Sequence, residues 1–118
     1  MVTESGGTWG SAAEIPGAAA LDKNAPGAVA DSVSCGAPGD CSATGSYTDS
    51  SGAQQAFVAD QSAGTWGSAE EVPGTGALNS GGQAAAQSVS CAPGGLCNAV
   101  GTYLNVKLNA QVFAVSQG

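Results

Sequence analysis

The carboxylates Glu14 and Glu71 recur at matching places in the chain, and Glu70 adds a third beside the second. Paired carboxylates are the groups that glycoside hydrolysis uses, one as acid and the other as base or nucleophile. Here the two sit at equivalent positions of an internal repeat, and symmetric surroundings do not give two carboxyls different pKa values. They read instead as solvated edge charges or as acceptors for a ligand hydroxyl. The chain has no His and its only cations are Lys23 and Lys107. Lack of His removes the commonest general base and the commonest metal ligand. Triads, zinc hydrolase sites and most proton shuttles go with it. The expectation is a protein that is not an enzyme, with no catalytic residues, no metal and no cofactor.

The aromatic residues suggest binding. Trp9 and Trp66 are the only tryptophans, each beside a Gly. A Trp at a sheet edge stacks on the apolar face of a sugar ring and keeps its N–H for a hydroxyl. Tyr47 and Tyr103 end two matching strands with a polar tip near the surface. Together with Glu14, Glu71 and Asn79 they form the candidate ligand set. The competing reading makes the tryptophans and tyrosines packing anchors between structural units. Thr48-Asp49-Ser50-Ser51-Gly52 has the look of a calcium-loop fragment but lacks the further carboxylates that calcium needs. A plain hairpin turn is the better reading.

Four cysteines allow three pairings. The twofold pattern Cys35-x5-Cys41 and Cys91-x5-Cys97 favours one bridge inside each repeat, clamping a turn between consecutive strands. Zinc prefers closer Cys pairs or His partners, and redox motifs have two intervening residues. Structural disulfides are therefore expected, and with them an oxidising compartment and a secreted protein. The start Met1-Val2-Thr3-Glu4-Ser5 has neither the basic nor the apolar region of a signal peptide. Either a leader has been removed or the chain was never exported, and the cysteines favour the first.

These residues are positioned by a repeat. Gly7 to Leu21 matches Gly64 to Leu78 at eleven of fifteen positions. Ser32-Val33-Ser34-Cys35 then matches Ser88-Val89-Ser90-Cys91, and Cys41, Ala43, Gly45, Tyr47, Gln55 and Phe57 match Cys97, Ala99, Gly101, Tyr103, Gln111 and Phe113. The boundary falls as 1–63 and 64–118. Cys41, Ala43, Gly45 and Tyr47 alternate with polar residues, the period of a half-buried strand. Pro-Gly at 16–17, 26–27, 38–39 and 73–74 punctuates the chain. Each copy is expected to give four strands, around Gly7–Ile15, Ala30–Cys35, Cys41–Tyr47 and Gln54–Asp60 in the first. Gly17 and the Asn24-Ala25-Pro26-Gly27 loop argue against a stable helix at Ala18–Ala20.

The expected fold is all-β, with two four-stranded propeller blades per chain. Two blades do not close a ring. The chain starts on a Gly-Thr-Trp-Gly strand and stops after the strand that precedes the next one. The open end is thus expected to take that strand from another chain. Homo-oligomerisation, as a trimer or secondarily a tetramer, then gives a six- or eight-bladed β-propeller. Small residues at Ala43/Gly45 and Ala99/Gly101 suit inner strands that approach closely between blades.

The run Trp-Gly-x-Ala-x-Glu-[Ile/Val]-Pro-Gly, a Leu-Asn turn, Ser-Val-Ser-Cys-x5-Cys-x-Ala-x-Gly-x-Tyr and Gln-x-Phe resembles a repeat of secreted actinobacterial β-propeller-like proteins. The resemblance implies the fold, an extracellular site and disulfides; it implies no defined activity. Those proteins usually carry more copies per chain. A looser analogy of architecture is to short two-repeat bacterial and fungal lectins that assemble into propellers and bind sugars between blades.

The composition narrows the partners. Val, Ile, Leu and Phe number only 18 of 118 residues, while Gly alone numbers 19. So thin a set of large apolar side chains points toward disorder unless neighbouring units complete the core. The net charge of -7 excludes nucleic acid, whose phosphates need cations. It also disfavours anionic membranes, and no apolar run is long enough to be inserted in one. Leu104, Val106, Leu108, Ala110 and Val112 share one face in an extended reading, where the first copy is polar. Leu104, Val106 and Leu108 either form a contact surface for a partner or tuck between blades. Two functions follow: a carbohydrate-binding, lectin-like oligomer with shallow sites between blades, or a structural or protein-interaction scaffold, including an engineered or excised propeller fragment. A hydrolase is a distant third.

Overall fold

The computed structural model describes Val2 and residues 4–22, 27–94 and 96–117; Lys23 and the Asn24-Ala25-Pro26 part of the loop named above lie outside them. The described residues form three antiparallel sheets. Each repeat contributes a three-stranded meander. In the first it is β3 (Val29–Ala37), β4 (Asp40–Thr48) and β5 (Gln54–Ser62); in the second, β8 (Ala84–Ala92), β9 (Leu96–Leu104) and β10 (Ala110–Gln117). The period-two alternation puts Ala43, Gly45 and Tyr47 on one face and Ser42, Thr44 and Ser46 on the other. Both disulfides form as the spacing suggests, Cys35–Cys41 and Cys91–Cys97, and in each the two residues stand directly opposite across the hairpin.

Gly45 and Gly101 are needed within their own sheets rather than between sheets. A Cβ on Gly45 would lie 1.9 Å from the Val29 carbonyl oxygen and 2.7 Å from the Phe57 ring; on Gly101 it would meet the Ala85 carbonyl at 2.0 Å and Phe113 at 2.8 Å. Each glycine is the cross-strand partner of the Phe that covers it. A close approach between sheets does occur, at Gly36, where a Cβ would lie 2.4 Å from the Ala92 carbonyl.

The segment that leads each repeat is not one strand. In the second repeat it forms β6 (Thr65–Trp66) and β7 (Glu70–Glu71), and both pair with β5 of the first repeat. Between them Gly67 N–H still bonds the Asp60 carbonyl of β5, and the chain then turns off the edge, where Ala69 N–H bonds the Pro16 carbonyl. In the first repeat the lead folds on itself, β1 (Glu4–Ser5) pairing with β2 (Thr8–Trp9). The Ala-rich stretch closes one helical turn, α1 (Ala18–Leu21), contrary to expectation, and α2 (Thr75–Leu78) repeats it. Gly17 and Gly74 enable rather than prevent these turns: each starts its helix in the left-handed region, at φ 80 and 86°.

The second sheet stacks on the serine-bearing face of the first. Val89 N–H and Cys91 N–H of β8 donate to the Ser32 and Ser34 hydroxyls at 3.3 and 3.0 Å. Val72, on the lead of the second repeat, is fully buried between the sheets with Ala56, Ala84, Ala86 and Phe113. Its counterpart Ile15 covers the other face of the first sheet, against Ala43, Tyr47, Phe57, Ala59 and Ala69.

Candidate functional site

A cleft of about 190 Å³ opens where the two sheets meet, with Val58, Pro73, Val89 and Val115 as apolar walls and Ser42, Asp60, Glu70 and Gln117 as polar ones. An adjoining opening of about 250 Å³ shares Ser42, Asp60 and Gln117 and adds Asp40 and Gln61. Asp60 comes from β5 and Gln117 from β10, so the cleft exists only because both repeats are folded together. The Ser42 hydroxyl donates to one Asp60 oxygen at 2.6 Å, and the Gln117 amide donates to the other at 2.8 Å. Each carboxylate oxygen has a second lone pair to offer. Carboxylate and amide groups over aliphatic walls can hold a hydroxylated ligand. A cleft smaller than the ~300–1,000 Å³ usual for drug-sized molecules admits a small one.

The sequence candidates do not converge on this cleft. Trp9 is 67% exposed on the first lead, paired among the described strands only with Glu4 of β1, whereas Trp66 is half-buried against the Ile15 cluster. The Trp66 indole N–H is buried and has no hydrogen-bond partner among the described residues. Tyr47 is buried and donates to Glu71 at 3.3 Å. Burial, then the negative charge of Glu71, pushes the Tyr47 phenol up to about 12. Glu14 accepts a bond from Ala19 N–H at 3.3 Å. Asn79 is buried and donates to the Gln54 carbonyl and the Gln55 side chain. Tyr103 is half-buried and lines a third, shallow opening with Gln83, Gln87 and Thr102.

At the tip of the second hairpin, Leu104 ends β9 and residues 105–109 form a turn, so the aliphatic series is not one continuous strand. Asn105 ties that turn by accepting from Lys107 and Asn109 N–H. Val106 and Leu108 are 78% and 67% exposed, while Leu104 is half-buried. Asp49 ties the first hairpin in the same way, accepting from Ser51 and Ala53 N–H. The Gln55 amide and the Ser51 hydroxyl hold the Asp49 carboxyl below its usual range. The N–H groups of Gly27 and Thr48 do the same for Asp22, which links the start of the first repeat to the end of β4.

Asp60 is the residue that reading the sequence missed. Its signal is a mismatch between copies, since Ser116 stands at the equivalent place in the second repeat. There Ser116 donates to Asn98, and no carboxylate is present in the pair. Among the described residues no group of three or more His, Cys, Asp or Glu is placed to hold a metal ion. No helix among them is long and apolar enough to cross a membrane. No family model matches the chain, and comparison with curated proteins and with solved structures gives no match.

Proposed function

We propose that the chain is a non-catalytic interaction scaffold of propeller-type blades that works in an oxidising, extracellular setting. The observation that carries this reading is the docking of one repeat's lead segment onto the β5 edge of the repeat before it. Within the chain, the lead of one repeat covers the edge of the repeat before it, which is how stacked repeat units share a core. Three residues first grouped as a ligand set support the same reading: the Tyr47 hydroxyl bonds Glu71, and the Asn79 amide N–H groups bond Gln54 and Gln55 of the neighbouring repeat. Two disulfides fit export, as does the resemblance to secreted actinobacterial repeats. In this reading copies complete a ring of blades, three chains giving six and four giving eight.

A second reading, carbohydrate binding, is favoured by the Ser42–Asp60–Gln117 group, whose acceptors and amide face a small cleft with aliphatic walls. Calorimetry of the intact chain against mono- and oligosaccharides decides between them. The scaffold reading expects no heat at millimolar sugar. Binding that Asp60→Ala abolishes would replace it with the second reading.

A further inference from the structure

We infer that a second copy of this chain docks head to tail on the outer face and edge of the second sheet, in the register that joins the two repeats within one chain. The inference rests on the scaffold reading and takes it further by naming the faces, the register and the contacts through which copies join.

The internal junction is the template. Across it, Trp66 pairs with Gln61 and Glu71 with Phe57, Val72 N–H bonds the Ala56 carbonyl, and the Tyr47 hydroxyl meets Glu71. Every one of these residues has a repeat equivalent. Translated by the repeat, Trp9 of a second copy faces Gln117, its Glu14 faces Phe113, its Ile15 N–H reaches the Val112 carbonyl, and its Glu14 accepts from Tyr103. The β5 edge is covered by β6 and β7, whereas β10 pairs with β9 alone among the described strands.

Burial follows the same rule. Thr44 and Ala56, on the covered face of the first sheet, are both 0% exposed; their equivalents Val100 and Val112 are 49% and 80% exposed. On the other half of the junction Val89, facing the first sheet, is 7% exposed, and its equivalent Val33 is 62% exposed. Trp66 is half-buried where Trp9 is 67% exposed. Thus Val100 and Val112 belong to one half of such a junction, Val33 and Trp9 to the other. These are the two complementary halves of one interface, left apolar where the internal copy of it is closed. Such a contact is heterologous, so it propagates into a ring or a filament and does not stop at a twofold dimer.

The test uses the intact chain, with light scattering for mass and circular dichroism for folding. Wild type is expected at several times 11.2 kDa. Val112→Asp and Val33→Asp change side chains that are exposed in the single chain, so each variant keeps the wild-type spectrum and falls to the mass of one chain. Each retains one intact half of the interface. An equimolar mixture of the two is therefore expected to form a complex of two chains that grows no further. A wild-type chain that stays at one mass at millimolar concentration overturns the inference, as do variants that assemble like wild type. Monomeric variants whose mixture stays monomeric overturn the head-to-tail register. A monomer that binds no sugar leaves the scaffold reading standing without this partner. An assembled protein that binds sugar at Asp60 does the reverse.

Discussion

Trp9 and Trp66 hold the same place in two repeats and opposite environments: Trp66 lies half-buried on the preceding repeat's edge, while Trp9 is 67% exposed. The difference does not come from local sequence, since Gly-Thr-Trp-Gly-Ser-Ala surrounds both. It comes from what lies beside each lead segment. The second lead has β5 to pair with, and the first has only β1. The contact that buries Trp66 is therefore the junction between the two repeats.

Val72 tests that placement. It is fully buried between the sheets. Val72→Ala is expected to cost about 2 kcal/mol in a urea melt, from lost burial and the cavity left behind. Val106→Ala, on the exposed hairpin tip, is expected to move the midpoint little.

Gly45→Ala forces a methyl onto the Val29 carbonyl and the Phe57 ring. The loss should be about 1–3 kcal/mol, since backbone and ring must both shift. Gly67→Ala is the control. Gly67 has no positive φ, and the nearest atom to an added Cβ is the Asp60 carbonyl oxygen at 3.5 Å, so its melting curve should stay close to wild type.

Leu108 takes φ 61° at the position where the first hairpin has Gly52 at φ 85°. A left-handed backbone disfavours a side chain with a Cβ, and glycine relieves it. Leu108→Gly should raise stability by roughly 0.5–1 kcal/mol in the same melt. A decrease would show that the exposed leucine has a packing role.

The Tyr47–Glu71 pair predicts an alkaline limit. The folded phenol titrates at about 12, above the ordinary value of 10. A group whose pKa is raised by folding favours the fold below its unfolded pKa and loses that contribution as pH rises through the folded one. Stability should thus fall between about pH 10 and 12, and Tyr47→Phe should abolish this limb. In Tyr103→Phe, where Tyr47 is the one remaining tyrosine, phenolate absorbance should have its midpoint near 12.

The disulfides close loops with a sequence separation of 6. On the chain-entropy model each contributes roughly 2–2.5 kcal/mol. Reduction should lower the melting midpoint in two comparable increments, reproduced singly by Cys35→Ala/Cys41→Ala and Cys91→Ala/Cys97→Ala.

Much of the fold was legible because its signals are local. Alternation from Cys41 to Tyr47 marks β4, and the duplicated Cys-x5-Cys spacing marks the cross-strand bridges. The lead segments were harder to read. Thr65–Trp66 and Glu70–Glu71 are strands only because β5 accepts them, and between them Ala69 leaves the edge to bond Pro16. The helical turns depend on Gly17 and Gly74, residues that argue against helix unless they take the left-handed start. The cleft was least legible. Asp60 and Gln117 are 57 residues apart, and nothing in either segment announces the other.

Amide hydrogen exchange on the intact chain tests the repeat-junction account most directly. Gly67 and Val72 bond the Asp60 and Ala56 carbonyls within one chain, so they should exchange slowly at every protein concentration. Gly10 and Ile15, their equivalents, should exchange fast when dilute and gain protection as concentration rises. Exchange at Gly10 and Ile15 that is as fast at millimolar as at micromolar concentration would contradict the account.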